Sequence, residues 1–394
     1  MLSWLPKMNT LARRALLPAG FADLLSPEAG FEAATVERLM AAFAAQGYVR
    51  VKPPLVEFED ALLSGSGAAM ARHSFRLMDP VSQRMLALRP DMTLQVARIA
   101  AVRLRGEPRP LRLCYAGQVV RVVGDALRPA RQFGQIGCEL IGASSVDADA
   151  EAVLLAASAL LDIGTRGLCV DVSSPTLAGA VIDAAGLRPE RAAELRAALD
   201  RKDAASVAAL GGEAAHALGE LLRGSGDVAR ALAALGRVAL PGRAAEDAAR
   251  LREVVAALGA RRPDLPLTVD LVEHRGFKYH TGLCFSLFAR GVRGELGRGG
   301  RYLAGGDFTG EAGEPATGFT LYTDTILRAL PAVGRARRIF LPLATPPARG
   351  EALRRDGWTT VAGLDPVADH AEEARRLGCS HAWIDDAILA LEGE

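Results

Sequence analysis

The chain has 394 residues, of which 50% are hydrophobic and 24% are charged, with 47 basic and 46 acidic side chains. This length predicts two or three domains, and the composition excludes a largely disordered chain. The net charge of +1 argues against a large nucleic-acid-binding surface, which normally needs a basic excess.

The cysteines and the apolar segments indicate where the protein works. Five cysteines are scattered without any Cys-x-x-Cys pair, which indicates free thiols in a reducing compartment and argues against disulfides or a zinc site. The longest largely apolar run, 152–161, is about half of what a membrane span needs. The N-terminus lacks the continuous apolar segment of a secretion signal. We therefore expect a cytoplasmic protein without a bound metal.

The N-terminal part of the chain is predicted to alternate helices with strands. Apolar residues at helical spacing predict a helix over 31–46, which Gly47 ends, and a strand closed by two prolines follows. A second helix is expected over 91–104. Asp91, which follows a proline, is a good N-cap for this helix, and Thr93 fits its first turn.

The middle of the chain predicts a strand hairpin, a long helix and a helical insertion. Strand character at 111–123 and at 132–141 surrounds an eight-residue loop rich in turn-forming residues. The long helix follows directly, with Ser144 as its expected cap. Residues 186–263 are rich in Ala, Leu, Arg and Glu at helical periodicity, which predicts a small helical insertion.

Beyond the insertion, strand character returns at 267–273, 283–288 and 317–322. The glycine-rich GELGRGGRY between the last two lacks the spacing of a phosphate-binding loop, so its glycines indicate tight turning or close backbone approach. The last residues have the pattern of a β-α-β-α-β unit. The predicted domains are a core formed by 1–185 and 264–333, an insertion at 186–263, and a C-terminal α/β domain at 334–394.

The second strand of the hairpin has a polar face. With a period of two, Phe133, Gln135, Gly137 and Glu139 point to the same side. Such a face among apolar neighbours is typical of a pocket, in which Gly137 would leave room for a ligand. The amide and the acid can bind an ammonium group, and Arg121 can bind a carboxylate. The alternative is a solvated face with an incidental Arg–Glu pair.

A second candidate binding segment is RGFKYHTG, which begins at Arg275. Its density of hydrogen-bonding side chains, Tyr279 and His280 among them, suits a binding loop as well as an ordinary polar turn. His280 has no adjacent His or Cys with which to form a metal pair, so a zinc role is not expected.

These segments, taken in order, resemble the catalytic core of class II aminoacyl-tRNA synthetases, in particular histidyl-tRNA synthetases. The order is LRPDMT, RLCYAGQVVR with RQFGQIGCELIG, RGFKYHTG, GGRY and ATGFTLY, across about residues 15–330. The resemblance implies an α+β fold, in which an antiparallel sheet is flanked by helices and carries the helical insertion. The segment 31–54 resembles the family's motif 1, which forms a dimer interface, and the hairpin resembles motif 2.

The residues with which a synthetase of this family holds ATP are not retained. Val123 stands where the family has a glutamate for the adenine amino group, and Pro129 replaces a phosphate-binding arginine. Tyr322 replaces a glycine that leaves room for ATP, and Thr325 replaces a second phosphate-binding arginine. The resemblance therefore implies a site that does not activate an amino acid. Residues 334–394 are also short for an anticodon-binding domain.

The amino-acid side of the site is better retained. The resemblance assigns histidine binding to Asp91, Thr93, Arg121, Gln135, Glu139, Arg275, Tyr279 and His280. Two departures affect this side of the site. Asp91 replaces a glutamate, and Lys278 stands where an acidic residue is usual.

A YHTG sequence in place of YYTG is typical of the non-aminoacylating relatives of these synthetases, the regulatory subunits of ATP phosphoribosyltransferase. The resemblance thus implies a dimeric, non-catalytic subunit without a cofactor, which acts with the short catalytic subunit in the first step of histidine biosynthesis. Histidine would be its feedback effector, bound in the ancestral pocket or at a subunit interface, and tRNA would not be a partner. The open alternatives are an active histidyl-tRNA synthetase and a stand-alone amino-acid sensor.

Overall fold

The computed structural model describes residues 16–63, 70–273, 280–310, 312–331 and 337–391. The chain divides into two compact units, Met1–Pro331 and Ala332–Glu394. The further division of the first unit into a core and an insertion stays a prediction. Within the described residues, no helix is both long and apolar enough to cross a membrane.

Helices of the first unit cover its sheets and form the segment predicted as an insertion. They are α1 (Glu28–Ala45), α2 (Glu59–Leu62), α3 (Thr93–Arg98), α4 (Val146–Asp162), α5 (Pro175–Ala184), α6 (Pro189–Asp200), α7 (Ala204–Leu210), α8 (Glu213–Gly224), α9 (Val228–Arg237), α10 (Gly242–Arg261), α11 (Gly306–Thr309) and α12 (Thr323–Ala329). The helices predicted over 31–46 and 91–104 are thereby confirmed. The second of them changes from α3 to a π-helical segment at Ile99–Arg103.

The strands of the first unit are short at its N-terminus and long around the hairpin. They are β1 (Val49–Arg50), β2 (Val56–Phe58), β3 (Arg76–Met78), β4 (Met85–Leu88), β5 (Leu111–Val120), β6 (Gln132–Ile141), β7 (Leu168–Ser173), β8 (Gly226–Asp227), β9 (Leu267–Asp270), β10 (His280–Ala289), β11 (Gly297–Ala304) and β12 (Glu314–Tyr322). Strand β5 ends before the predicted residue 123, so Arg121 is the first residue of the connecting loop.

The described strands form one large sheet and one small sheet in this unit. The large sheet has nine strands in the order β1-β5-β6-β12-β11-β10-β7-β9-β8, and the small sheet has the order β2-β4-β3. From β5 to β7 every neighbouring pair is antiparallel. This arrangement confirms the predicted α+β fold with an antiparallel sheet flanked by helices.

The cap of helix α4 corrects one prediction. Ser145, and not Ser144, precedes the helix with extended backbone, and its hydroxyl accepts a hydrogen bond from the amide of Ala148 at 3.2 Å. An N-cap side chain accepts from the amide two or three residues after it, and Ala148 lies three residues after Ser145. Because α4 begins at Val146, Ser144 lies one residue too early in the chain to cap it.

A buried ion cluster joins α4, β11 and α10. Asp149 is fully buried and accepts hydrogen bonds from the guanidinium groups of Arg301 at 2.6 Å and Arg250 at 2.7 Å. Removal of Asp149 would leave the largely buried Arg301 without its ion-pair partner, so the cluster fixes the relative positions of its three elements. It thereby holds β11, which contributes to the site described below.

The two faces of the large sheet have different surroundings, because successive strand side chains alternate between them. One face packs a dry core against α1 and α4, with Phe43, Cys138 and Leu160. The other face carries aromatic and polar side chains, including Tyr115 and Tyr302. This polar face is where the candidate site lies.

The second unit is a small α/β fold. It contains β13 (Arg338–Leu341), α13 (Pro347–Arg355), β14 (Thr359–Ala362), α14 (His370–Arg376), β15 (His381–Ile384) and β16 (Ala387–Ala390). Strand β13 is parallel to β14 and to β15, as the β-α-β-α-β pattern predicts. The sequence pattern missed β16, which pairs with β15 through a turn at Asp385 and Asp386, both with positive φ. Its four residues are exposed, so they carry no alternating burial signal.

Candidate functional site

A cavity of about 290 Å³ lies on the polar face of the large sheet. Five of the eight predicted site residues line it: Asp91, Thr93, Arg121, Glu139 and His280. Gln135 lies behind Asp91, to whose carboxylate its amide donates at 2.9 Å. Arg275 and Tyr279 lie outside the described residues, so their roles stay predictions.

The floor of the cavity is the Glu139 side chain, which is only 1% exposed. Its two oxygens accept hydrogen bonds from the hydroxyls of Tyr115, at 3.1 Å, and Tyr302, at 2.9 Å. Burial raises the pKa of Glu139 to about 8, against the opposing effect of these hydroxyl donors. The alternative of a solvated polar face is therefore wrong, because Glu139 and Gln135 are both buried.

The Asp91 carboxylate accepts hydrogen bonds from two elements, the start of α3 and strand β6. The N-cap of α3 is Met92, which makes no side-chain cap contact, so the predicted N-cap at Asp91 is wrong by one residue. The Oδ1 of Asp91 instead accepts a hydrogen bond from the amide of Thr93, the first residue of α3, at 2.8 Å. Its Oδ2 accepts from Gln135, whose own carbonyl oxygen accepts from the amide of Met92 at 2.9 Å. The helix start and the polar face of β6 are thus fixed against each other, and the carboxylate is held at the cavity wall.

A network of hydroxyl groups connects the floor with this wall. The Tyr115 hydroxyl lies 3.1 Å from the hydroxyl oxygen of Thr93 and 3.1 Å from that of Thr320. Thr320 also accepts a hydrogen bond from Gln135 at 3.1 Å. Such a network in a buried site holds its side chains in one arrangement, because every polar group needs its partner. The polar groups of the cavity are therefore preorganised.

Arg121 provides positive charge at the mouth of the loop between β5 and β6. Its Nε donates to the carbonyl oxygen of Pro90 at 3.3 Å, which places the guanidinium next to the segment that carries Asp91. Its Cζ lies 5.1 Å from the centre of the Phe133 ring. Among the described residues Arg121 forms no ion pair, so its charge is available to an anionic group of a ligand.

His280 lies on β10 at the opposite side of the cavity. Burial, and secondarily the positive charge of Arg298, lower its pKa to about 3, so its imidazole is neutral at physiological pH. His73 also lines the cavity, and burial together with the charges of Arg121 and Arg72 lowers its pKa as well. The histidines therefore add no positive charge, and the arginines of the lining carry it.

The glycine of the polar face plays a different role from the predicted one. A Cβ atom at Gly137 would lie 2.4 Å from the Tyr115 hydroxyl and 2.4 Å from the Phe319 carbonyl oxygen. The space beside Gly137 is thus filled by protein, and the expectation that it leaves room for a ligand is wrong. A Cβ at Gly318 would lie 1.8 Å from a Glu139 oxygen, so this glycine instead makes room for the acid.

The glycines of GELGRGGRY permit close backbone approach, as predicted. A Cβ at Gly299 would lie 2.3 Å from the Gly318 carbonyl oxygen, and one at Gly300 would lie 2.7 Å from the His280 ring. Both residues line the cavity. Side chains at these positions would push the neighbouring strands apart.

The side of the cavity that resembles an ATP site is packed with protein side chains. Tyr322 is fully buried, and the guanidinium of Arg128 stacks on its ring at 3.8 Å and on that of Phe133 at 4.9 Å. Asp324 holds Arg128 through an ion pair of 3.1 Å. Thr325 donates its hydroxyl to the Tyr322 carbonyl oxygen at 3.1 Å. These groups satisfy one another and leave no free arginine at this position among the described residues.

Sequence reasoning missed three polar members of the site, Tyr115, Tyr302 and Thr320. Each lies within a strand whose other residues are mainly apolar or glycine. A tyrosine or threonine hydroxyl in a buried strand needs a hydrogen-bond partner, and this requirement was the available signal. Their partners come from other strands of the sheet, which the order of the sequence does not reveal.

Comparison with known protein families agrees with this fold. The family model described as histidyl-tRNA synthetase matches residues 20–326. A solved structure of an ATP phosphoribosyltransferase regulatory subunit/histidyl-tRNA synthetase from Bacillus halodurans superposes with a TM-score of 0.78 at 25% identity, covering 94% of this chain and 97% of that one. Histidyl-tRNA synthetase from Nostoc, at 17% identity and a TM-score of 0.78, covers 93% of this chain and 90% of that one and shows the fold alone.

Full-length relatives are more similar still. The ATP phosphoribosyltransferase regulatory subunit of Rhodospirillum centenum is 57% identical over 378 residues, which cover 96% of this chain and 97% of the relative. That of Paramagnetospirillum magneticum is 55% identical over 385 residues, covering 98% of this chain and 100% of the relative. The chain therefore belongs to the family of ATP phosphoribosyltransferase regulatory subunits, which is built on the fold of histidyl-tRNA synthetase.

Proposed function

We propose that this chain acts with a short-form catalytic subunit of ATP phosphoribosyltransferase and transmits feedback inhibition by histidine, which binds in the cavity. The observation that carries the proposal is the combination within one cavity of acidic groups, Asp91 and Glu139, with the guanidinium of Arg121. A zwitterionic amino acid with a nitrogen-containing side chain needs this set of partners.

The positions of these groups suggest an orientation for histidine. The α-carboxylate and α-ammonium groups of an amino acid are attached to the same carbon, so their partners must be neighbours. Arg121 and Asp91 meet this requirement, because Arg121 donates to the carbonyl oxygen of Pro90, the residue before Asp91. Glu139, on the buried floor, then faces the imidazole ring.

The packed ATP side supports a regulatory and not a catalytic role. The family is named for a regulatory subunit, and the reaction itself belongs to the catalytic partner. Formation of an aminoacyl-adenylate requires positive charges that converge on the phosphates of ATP. Arg128 is instead paired with Asp324 and stacked on Tyr322. An active histidyl-tRNA synthetase is accordingly the weaker alternative.

The proposal includes a dimer and a cytoplasmic location. The supporting observation for the dimer is that β1, within the segment that resembles motif 1, lies at an edge of the large sheet, with Val49 65% exposed. A symmetric dimer would cover such an edge. The cytoplasmic location, predicted from the cysteine pattern, stays a prediction.

The test is phosphoribosyl-ATP formation by a purified short catalytic subunit, with and without this chain, across a histidine titration. We expect activity to appear only in the mixture and to fall as histidine rises. Feedback requires that histidine bind the active and the inhibited assemblies with different affinities, so the titration must follow activity and not binding alone.

The Arg121→Ala variant separates the cavity from a subunit interface as the feedback site. If histidine acts from the cavity, the variant must need a much higher histidine concentration for inhibition. Unchanged feedback in the variant would place the effector elsewhere. An absence of any effect of this chain on rate and on histidine response would overturn the partner assignment, leaving a synthetase or a stand-alone sensor.

A further inference from the structure

The floor of the cavity holds a carboxyl group whose immediate partners carry no charge. The Glu139 oxygens accept hydrogen bonds from Tyr115 and Tyr302, and neither phenol balances a negative charge. Glu139 is 1% exposed, so little of its surface is accessible to water. Burial of an ionised carboxylate without a cationic partner is costly, and the empty floor therefore favours the neutral acid.

We propose that Glu139 and the ring of a bound histidine share a single proton. In the empty cavity this proton is on the Glu139 carboxyl group. In the complex it becomes the hydrogen-bond proton between a carboxyl oxygen and the unprotonated ring nitrogen, the other ring nitrogen keeps its own N–H, and no other bond changes. The inference rests on the proposed function, because it needs histidine in this cavity.

The groups around Glu139 favour this arrangement. From the segment before α3, Asp91 contributes negative charge, which disfavours a second carboxylate nearby. From β5, Tyr115 stays neutral because burial raises its pKa well above the ordinary value. From β10, His280 stays neutral because burial lowers its pKa to about 3. Neither neutral group competes for the shared proton near pH 7.

The other charged groups of the lining come from different elements. Arg121 follows β5, Arg298 belongs to β11, and Arg72 and His73 precede β3. In the proposed orientation Arg121 faces the α-carboxylate of the ligand. The hydrogen-bond partners of Glu139 among the described residues are hydroxyl groups, so the arginines do not take the place of the ligand at the floor.

The affinity for histidine then depends on pH through the titration of two groups, the Glu139 carboxyl group and the imidazole of free histidine. Burial raises the pKa of Glu139 to about 8, whereas a free imidazole titrates near ~6.5. Below about 6.5 the free ring carries an extra proton that binding must release. Above about 8 Glu139 has lost the proton that binding must take up. The affinity for histidine is therefore greatest between these two values and falls on both sides.

The experiment is calorimetric titration of the full chain with histidine between about pH 6 and pH 9, in parallel with the Glu139→Gln variant. The wild-type affinity is expected to fall about tenfold for each pH unit above about 8. Glutamine can donate a hydrogen bond to the ring but does not titrate, so the variant loses this alkaline decrease. Titrations of the ligand itself are common to both proteins and cancel in the comparison.

The number of protons exchanged on binding gives an independent readout, again taken as the difference between the wild type and Glu139→Gln, because the ammonium group of the ligand also titrates at alkaline pH. Binding heats in buffers of different ionisation enthalpy should show almost no difference in proton uptake at pH ~7.2 and an excess uptake of most of one proton by the wild type at pH ~8.7. A difference in proton number that is constant across this range, or the same alkaline decrease in both proteins, would overturn the inference alone. An absence of histidine binding at every pH would overturn the proposed site itself.

Discussion

The two sides of the cavity differ in what their side chains contact. On the side of Asp91, Arg121 and Glu139, polar groups face an open volume and are held in place by hydroxyl and amide partners. On the side of Tyr322 and Arg128, charged and aromatic groups contact one another.

This difference is what the proposed function requires of the cavity. Replacement of a ligand group by a protein side chain needs a complete new set of contacts, and Arg128, Asp324 and Tyr322 provide it on one side. The other side has no such replacement, so its polar groups remain suited to a ligand. The comparison predicts that substitutions on the side of Tyr322 and Arg128 change mainly stability. Substitutions on the side of Asp91 and Arg121 are expected to change mainly histidine affinity.

The largest effect is expected for Tyr322→Ala. The fully buried ring packs against Phe133 and supports Arg128, so its removal leaves a large void and lowers the free energy of unfolding by about 3–5 kcal/mol. Urea denaturation measures this loss. The matched control is Val123→Ala on the same side, which is 63% exposed and should change the free energy by less than about 0.5 kcal/mol. Equal stabilities of the two variants would contradict the packed-side interpretation.

The next largest effect is expected for Arg121→Ala. Loss of a charge-assisted hydrogen bond to the carboxylate should weaken histidine binding by about 2–3 kcal/mol, which is about 30–150-fold in Kd. Arg128→Ala is the control: it removes an arginine that is already paired with Asp324 and should leave the affinity within about threefold while it lowers stability. Calorimetric titration of both variants with histidine measures the two affinities. Similar losses of affinity in Arg121→Ala and Arg128→Ala would contradict the proposed difference between the two sides of the cavity.

The smallest effect is expected for Asp91→Asn. An asparagine oxygen can still accept the hydrogen bond from the Thr93 amide, so the start of α3 is retained and stability changes little. Loss of the negative charge beside the ligand ammonium should weaken histidine binding by about tenfold.

The companion variant Asp91→Ala separates the two roles of this residue. It removes the hydrogen bond from the Thr93 amide as well as the charge and should cost a further ~1 kcal/mol of folding stability. If both variants bound histidine like the wild type, Asp91 would serve only to hold the start of α3.

Patterns along single strands predicted part of the site correctly. The period of two placed Gln135 and Glu139 on one face of β6, and the structure has both on the polar face of the sheet. The same pattern was wrong about Gly137, because the space beside this residue depends on Tyr115 and on the backbone of Phe319, which belong to other strands. The position of the N-cap was wrong by one residue for a local reason, since neighbouring serines offer the same hydroxyl.

The sequence by itself determined the family, the order of the elements and the polar residues retained on the amino-acid side, because these depend on local periodicity and on motifs that are contiguous in the chain. Only the tertiary structure decided that Tyr115, Tyr302 and Thr320 complete the floor network, and that Arg128 is held by Asp324 on the opposite side. Hydrogen bonds and stacking act over a few ångströms between strands that are far apart in sequence. Which side of the cavity is open and which is filled therefore follows from the packing of the sheet and not from any one segment.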